Sequence, residues 1–188
     1  MKAGLLGWGN PHCVEHLRTL QALPEVESVF IWGEDEGGLA AVRHEQKVKA
    51  VYTDLDALLE LQDLFFVIAT LRTDMLPAFI PRVLAAGKHA LVEKPLGRTP
   101  AEVEGLVQAA ERAGLQLGVC YTSRYHPVVQ EARRLIAAGV IGPLMSVEMR
   151  MLTTQLQFRI PTHWLQQKAV SGGGINAGMA PLMVAADG

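Results

Sequence analysis

The sequence is poor in the features that mark several large classes of protein. It contains only two cysteines, Cys13 and Cys120, and no CxxC pair, which excludes a small secreted domain held together by disulfides. Its 17 basic and 19 acidic residues leave a net charge of -2, so we expect no nucleic-acid partner and no membrane partner. The longest apolar run, Leu64 to Ala69, is far shorter than the ~18 residues that span a bilayer. Since the N-terminus also lacks the apolar region of a signal peptide, we expect a cytoplasmic protein.

What the sequence does contain is a regular alternation of short apolar segments and helical patterns. The apolar segments predict strands at Ala3–Leu6, Val29–Trp32, Val48–Val51, Leu64–Ala69, His89–Glu93, Leu117–Tyr121 and Leu144–Leu152. The series predicts an α/β fold, a doubly wound parallel sheet with helices on both faces. Because the alternation stops after Tyr121, we expect a domain boundary near residue 122, with domains 1–121 and 122–188.

Capping residues mark several helix boundaries. Thr99–Glu102 combines threonine at the N-cap with proline at the first helical position, and Gly114 is placed to close that helix. Thr53 with Asp56 resembles a capping box for the helix that follows the third strand. Pro81, inside a further helical stretch, predicts a kink.

The first strand ends in a Gly-x-Gly turn, the start of a dinucleotide-binding fingerprint. Ligands of doubly wound sheets bind at the carboxyl ends of the strands. One glycine permits the tight turn there, and the next lets the backbone approach a pyrophosphate at the helix N-terminus. The third glycine of the fingerprint is replaced by His12. Rather than a plain strand-to-helix turn, we predict a dinucleotide site formed by Gly7, Gly9, Asn10, Pro11 and His12.

Two carboxylates follow the second strand, where the adenosine ribose of a dinucleotide would lie. Glu34 or Asp35 is placed to accept the ribose hydroxyls and to repel a 2'-phosphate, which weakly favours NAD over NADP. A solvated acidic turn from Glu34 to Glu36 is the competing interpretation.

The end of the fifth strand reads Val92-Glu93-Lys94-Pro95. A lysine at this edge of the sheet, beside a nicotinamide, is placed to donate to a substrate oxygen or to polarise it. Lys94 is therefore the candidate catalytic residue, although the tripeptide Glu-Lys-Pro taken alone is also a common turn. The Lys94–Pro95 bond has access to the cis form, as X-Pro bonds do.

The segment from Ala85 to Gly97 resembles the Gfo/Idh/MocA family, the relatives of glucose-fructose oxidoreductase and inositol dehydrogenase. Further similar segments are His16–Leu20, Tyr52–Leu59, Ser123–Pro127, Ile141–Leu144, Trp164 and Ser171–Gly174. The resemblance implies a Rossmann domain followed by an α+β substrate domain. It also implies NAD(P)-dependent oxidation or reduction of a sugar, a polyol or a related small molecule by hydride transfer.

The same resemblance implies roles for particular residues. Lys94 would bind the nicotinamide end and assist proton transfer, with Glu93 and Pro95 as cofactor-binding neighbours. Thr70, after the fourth strand, would lie beside the cofactor, and Arg124 would line the cleft between the domains. The exposed face of a substrate-domain sheet further implies a homo-oligomer.

The sequence departs from the family pattern at several positions: besides His12 in place of the third glycine, His16 comes one residue late and Leu165 replaces an arginine. Leu71–Met75 replaces the family's Pro-Asn-x-x-His, so that Arg72 stands at the asparagine. The positions of the second-domain catalytic Asp and His hold Gly178 and Leu182 without a gap, or Asn176 and Ala180 with a two-residue deletion. The competing hypothesis is therefore a non-catalytic or truncated dinucleotide-binding or regulatory relative. Because family members continue well beyond this point, we expect a chain truncated at its C-terminus.

Other constellations compete with this interpretation. Cys13, His12 and His16 gather three possible ligands at a helix start, but no second cluster completes a zinc site, and we expect no metal. Cys120 lies on a predicted strand, where an inert buried thiol is expected. No tyrosine has the Tyr-x-x-x-Lys spacing of a short-chain dehydrogenase, which excludes that chemistry. The methionines around Met145 alternate along a predicted strand and are typical of core filling.

Overall fold

The first part of the chain is built on a parallel sheet. A computed structural model describes residues 1–148 and 162–173, and the chain divides into two compact units, Met1–Val119 and Cys120–Gly188. The strands of the first unit are β1 (Lys2–Leu6), β2 (Ser28–Trp32), β3 (Val48–Tyr52), β4 (Leu64–Ala69), β5 (His89–Val92) and β6 (Leu117–Val119). All neighbours pair in parallel in the order β3-β2-β1-β4-β5-β6, which confirms the predicted doubly wound sheet.

Helices connect consecutive strands of this sheet. They are α1 (Pro11–Ala22), α2 (Glu36–Val42), α3 (Leu55–Leu59), α4 (Leu76–Ala85) and α5 (Pro100–Ala113), with a 3₁₀ turn at Thr73–Met75 before α4. The strand order reverses at β1, which has β2 on one side and β4 on the other. The carboxyl ends of β1 and β4 therefore border the crevice in which doubly wound sheets bind ligands.

The sheet is covered on both faces because its central strands are apolar at successive positions. Neighbouring side chains of a strand point to opposite faces, so Leu5 and Leu6 enter different layers of the core. Leu6 and Val67 join one buried cluster with residues of α3, α4 and α5. Leu5 and Ile31 join the other with residues of α1 and α2. The layered core fixes the strand ends, and with them the loops of the candidate site.

The helix boundaries confirm one predicted cap and correct another. Thr99 accepts the N–H of Glu102 at 3.2 Å, and Gly114 ends α5 with φ 66°. Asp54, and not Thr53, caps α3, because its carboxylate accepts the N–H of Asp56 at 2.9 Å. An ionised carboxylate one residue nearer the helix is the stronger acceptor.

The predicted strand at Leu144–Leu152 is wrong over its described part. Residues 144–148 form no strand, and residues 149–152 lie outside the described residues. Met145 is 91% exposed and Val147 is 66% exposed, so the alternation at this point fills no core. A strand needs a partner for its backbone groups, and periodicity alone does not reveal whether one is within reach.

The described part of the second unit consists of short helical elements. They are a 3₁₀ turn at Thr122–Tyr125, α6 (Pro127–Ala137), a 3₁₀ turn at Trp164–Gln166 and α7 (Lys168–Ser171). His126 and His163 each accept a backbone N–H at a helix start, at 3.3 Å in both cases. Within residues 1–148 and 162–173, no helix is long and apolar enough to cross a bilayer.

Candidate functional site

The glycine turn after β1 is held against the neighbouring strand. The N–H groups of Gly7 and Trp8 both donate to the carbonyl of Trp32 in β2, at 3.0 and 3.1 Å. Gly7 (φ 92°) and Gly9 (φ 118°) adopt a backbone conformation that favours glycine. A Cβ on Gly7 would stand 3.1 Å from the backbone of Thr70, whereas one on Gly9 would meet nothing within 4 Å. The turn is therefore tight at Gly7 and open at Gly9.

Asn10 and Thr70 fasten this turn to the end of β4. Asn10 caps α1 by accepting the N–H of His12 at 3.0 Å, and its amide donates to the carbonyl of Thr70 at 2.9 Å. The hydroxyl of Thr70 is buried and donates to the carbonyl of Leu6 at 2.9 Å. Pro11 occupies the first position of α1. Asn10 and Thr70 therefore hold the shape of the turn, because their polar atoms are hydrogen-bonded to its backbone and to the strand ends.

Cys13 packs beneath the same turn. Its Sγ lies 2.9 Å from the carbonyl oxygen of Gly7 and 2.8 Å from Oγ1 of Thr70. Burial raises the pKa of the thiol, which keeps it protonated and unreactive. The sulfur therefore contacts the turn, whereas the imidazoles of His12 and His16 face Glu93.

In the acidic loop after β2, the carboxylates of Glu34 and Asp35 have different environments. Asp35 caps α2, because it accepts the N–H groups of Gly37 and Gly38 at 3.1 and 2.9 Å. Glu34 is exposed, which leaves its carboxylate open to a ligand. Trp8 joins this loop to the glycine turn, since its indole N–H donates to the carbonyl of Gly38 at 3.1 Å. The sequence had not separated Glu34 from Asp35, and it gave no sign of the Trp8 contact.

Two histidines of α1 converge on one carboxylate at the end of β5. Glu93 Oε1 forms a 2.9 Å hydrogen bond with His16 Nε2 and lies 3.2 Å from His12 Nδ1. Burial raises the pKa of Glu93, but hydrogen bonding and charge from His12 and His16 outweigh it and hold the pKa at about 2. We call these three residues the Glu93 cluster. The cluster joins the first turn of α1 to β5 through a carboxylate that is only 9% exposed.

Lys94 follows this cluster at the edge of the sheet. Its side chain is half-buried, and its peptide bond to Pro95 is cis. β4 and β5 pair in register, with Ala69 opposite Val92. Thr70 and Lys94 therefore leave adjacent strands on the same edge as the glycine turn, as the sequence predicted.

Arg72 is a further charged residue near the end of β4. It lies after β4, and its Nε and Nη2 donate to the two carboxylate oxygens of Asp74 at 3.1 and 3.0 Å. Hydrogen bonding to Asp74 and the charges of Asp74 and Glu34 raise its pKa. The replacement of the family's asparagine by arginine was the signal that pointed to this position.

The second unit contains the remaining predicted residue. Arg124 lies in the 3₁₀ turn Thr122–Tyr125. Its role as a cofactor-binding residue, like the assignment of residues 122–188 to a substrate domain, stays a prediction. The positions expected to hold the second-domain catalytic pair, residues 176–182, lie outside the described residues.

Known proteins share this architecture. Residues 1–121 match the oxidoreductase family with an NAD-binding Rossmann fold that is named for Gfo, Idh and MocA. A D-xylose dehydrogenase from Paenarthrobacter nicotinovorans is 27% identical over 123 residues, which are 65% of this chain and 31% of that protein. D-xylose 1-dehydrogenase (NADP(+)) 2 from Haloferax volcanii is 29% identical over 161 residues, which are 86% of this chain and 47% of that protein.

A solved structure extends the similarity beyond the first unit. The crystal structure of an oxidoreductase domain protein from Kribbella flavida has a TM-score of 0.87 at 27% identity, covering 98% of this chain and 52% of that one. The chain spans less than half the length of the two D-xylose dehydrogenases. Because the family match runs through the whole sheet of the first unit, the chain belongs to the Gfo/Idh/MocA family of oxidoreductases.

Proposed function

We propose that the protein is an NAD(P)-dependent oxidoreductase that transfers hydride between its cofactor and a carbon of a sugar, a polyol or a related small molecule. The observation that carries this proposal is the position of Lys94 on the edge that also holds the glycine turn. β2, β1, β4 and β5 lie side by side. A dinucleotide extended along this edge would run from Glu34, over the turn after β1, to Lys94. The two D-xylose dehydrogenases support a sugar as the substrate class.

The residues at this edge fit a dinucleotide. A Cβ on Gly9 would meet nothing within 4 Å, so the backbone there is open to the approach of a pyrophosphate at the N-terminus of α1. Glu34 is the carboxylate available to the ribose hydroxyls, because Asp35 is engaged in capping α2. Asn10 and Thr70 contribute by holding the shape of the turn.

The chain's own contribution to the chemistry centres on Lys94. When bound, the cofactor supplies the hydride acceptor or donor at its nicotinamide ring. The side chain of Lys94 is placed to exchange a proton with the substrate oxygen, taking it in the oxidative direction and returning it in the reductive direction. Glu93 is unsuited to this task, because a buried carboxylate with a pKa of about 2 is a poor proton acceptor at neutral pH.

We infer a preference for NAD over NADP. The exposed carboxylate of Glu34 would repel a 2'-phosphate and accept the two ribose hydroxyls. Arg72 is the opposing cation, but Asp74 holds it through two hydrogen bonds. The relative from Haloferax volcanii carries NADP(+) in its name, so a direct comparison of the two cofactors is part of the test.

The test is cofactor binding followed by turnover. Isothermal titration calorimetry of the full chain with NAD(H) and NADP(H) is expected to show binding, with NAD(H) the tighter. Substrate-dependent NADH formation is then measured against aldoses and polyols, with D-xylose among them. Absence of binding by either cofactor at millimolar concentration would refute the proposal.

A second candidate function is dinucleotide binding without turnover. It is favoured by one observation, the absence of any histidine after His163, where the family places its second-domain catalytic histidine. This alternative predicts binding of NAD(H) with no hydride exchange across the substrate panel. Substrate-dependent NADH formation would exclude it.

We further infer a cytoplasmic homo-oligomer. Neither cysteine forms a disulfide, as expected in a reducing compartment. α6 has no buried residue, and Val128 on it is 69% exposed. Exposed apolar side chains on a helix favour association with a second copy of the chain. Light scattering that gives the mass of one chain would refute the assembly.

A further inference from the structure

The first turn of α1 offers an anion few backbone donors. Helix N-termini bind phosphates because their first N–H groups lack partners within the helix. Here Pro11, the first residue of the helix, has no N–H at all. The N–H of His12 donates to Asn10 Oδ1 at 3.0 Å, and that of Cys13 donates to the carbonyl of Asn10 at 2.9 Å. The N–H groups of the first three helical residues are therefore absent or already engaged.

The imidazole of His12 lies at the same place and carries further donors. It stands where the fingerprint has its third glycine, and its side chain is 52% exposed. One ring nitrogen, Nδ1, lies 3.2 Å from Glu93, which leaves the rest of the half-exposed ring toward solvent. A protonated imidazole has an N–H on each nitrogen, so contact with Glu93 still leaves Nε2–H for a ligand.

The carboxylate of Glu93 is the charged group that faces His12. Glu93 is buried and ionised, and a buried anion needs a positive partner beside it. His16 shares the same carboxylate oxygen from one turn further along α1, with only 16% of its side chain exposed. The neighbouring thiol of Cys13 is neutral, and Lys94 follows Glu93 along the chain. Of the two imidazoles, His12 is the more exposed and is therefore the one that a ligand reaches.

We propose that the imidazolium of His12, held against Glu93, binds a phosphate oxygen of the dinucleotide and replaces the backbone donors missing from the turn. Glu93 is then a positioning residue that acts through His12. The inference rests on the proposed cofactor binding and adds a property to it, since the bound dinucleotide and the proton on His12 stabilise each other. Dinucleotide affinity therefore falls as pH rises through the range in which histidine loses its charge.

Calorimetric titration of the full chain with NADH from about pH 5.5 to about pH 8.5 tests this linkage. We expect the dissociation constant to rise about tenfold over that range, as for the loss of one charged hydrogen bond. In His12→Gln, which keeps an N–H donor without the charge, the affinity is expected to be weak and independent of pH. In Glu93→Gln the affinity is expected to fall toward that of His12→Gln, because the carboxylate that holds the ring in place is gone.

Two controls separate this role from a structural one. His16→Gln retains the pH dependence, because His12 and Glu93 remain, and the exposed His44→Gln changes neither the affinity nor its pH profile. Adenosine, which has no phosphate, is the probe for the phosphate contact, and its binding is expected to be independent of pH. NMR provides a second measurement, in which NADH is expected to shift the ring signals of His12 and to leave those of His44 unchanged.

The outcomes distinguish this inference from the proposed function. A chain that binds NADH equally well at all pH values, or a His12→Gln variant with the parent's pH profile, overturns the role of His12 alone. A chain that binds no dinucleotide at any pH overturns the proposed function, and this inference with it.

Discussion

The two ends of the candidate site are built differently. At the β5 end, Glu93 is 9% exposed and is tied to two histidines of α1. At the β2 end, Glu34 is exposed. The buried end has its geometry before any ligand arrives, whereas the exposed carboxylate exchanges water for a ligand. Substitutions at the buried end are therefore expected to change chemistry and stability, and those at the exposed end to change only selectivity.

Replacing Lys94 is expected to give the largest effect. Lys94→Ala removes the group that moves the substrate proton, and turnover should fall by about 100- to 10,000-fold, with cofactor affinity nearly unchanged. Steady-state kinetics and calorimetry measure the two quantities. Lys49→Ala, an exposed lysine on β3, is the matched control and should leave both at the parent's values. Equal losses of turnover in the two variants would contradict the catalytic assignment.

Acid is expected to act on the buried end next. The pKa of Glu93 is about 2 in the folded chain, against ~4.3 for an unfolded glutamate. A carboxyl pKa that is lower in the folded state stabilises the fold at pH values above the unfolded-state pKa. That stabilisation is lost as the pH falls toward the folded-state pKa. The loss should be about 3 kcal/mol between about pH 5 and about pH 2. Urea unfolding as a function of pH measures it, and a Glu93→Gln variant with an equally steep profile would contradict this attribution.

Gly7→Ala tests the glycine turn and should have a smaller effect. Its φ of 92° and a Cβ 3.1 Å from the backbone of Thr70 predict a loss of stability. We expect about 1 to 3 kcal/mol in urea unfolding, with weaker dinucleotide binding. The control is Gly105→Ala in α5, where a Cβ meets nothing within 4 Å. It should stabilise the chain by about 0.5 to 1 kcal/mol. Loss of stability in both variants would contradict a specific requirement for glycine at position 7.

The smallest effect is expected at the exposed end. Glu34→Gln keeps the size of the side chain but removes the charge that repels a 2'-phosphate. The preference for NAD over NADP should shrink by about fivefold to tenfold, with stability unchanged within about 0.5 kcal/mol. Paired titrations with both cofactors measure the ratio. An unchanged ratio would assign cofactor selectivity to another residue, with Arg72 the next to test.

The sheet could be predicted from the sequence because its signals are local. Leu64–Ala69 is apolar at every position, which is typical of a strand with helices on both faces of its sheet, and Thr99 caps a helix through a residue three positions away. The residues from Leu144 gave an equally clear alternation, and the described part forms no strand. A strand depends on a partner elsewhere in the chain, which its own periodicity does not report.

The candidate site divides in the same way. The glycine turn and Lys94 were predictable because each lies within two residues of the end of a strand. The Glu93 cluster was not, because His16 and Glu93 are 77 positions apart and meet only through the fold. The spacing of four between His12 and His16, which places both on one helix face, was visible, but no second ligand cluster supported a metal site and no other partner was evident. In the structure Glu93 is the acceptor that both imidazoles face.

The buried thiol of Cys13 makes the glycine turn observable from outside. Cys13 is 1% exposed and bonded to the carbonyl of Gly7, so an alkylating reagent reaches it only when the first turn of α1 opens. In a Cys120→Ala background, the rate of alkylation would count those openings. A ligand that binds only the closed turn slows alkylation, because only the unliganded fraction of the protein can open and react. The alkylation rate of Cys13 therefore reports how often the first turn of α1, and with it the proposed phosphate site, is open.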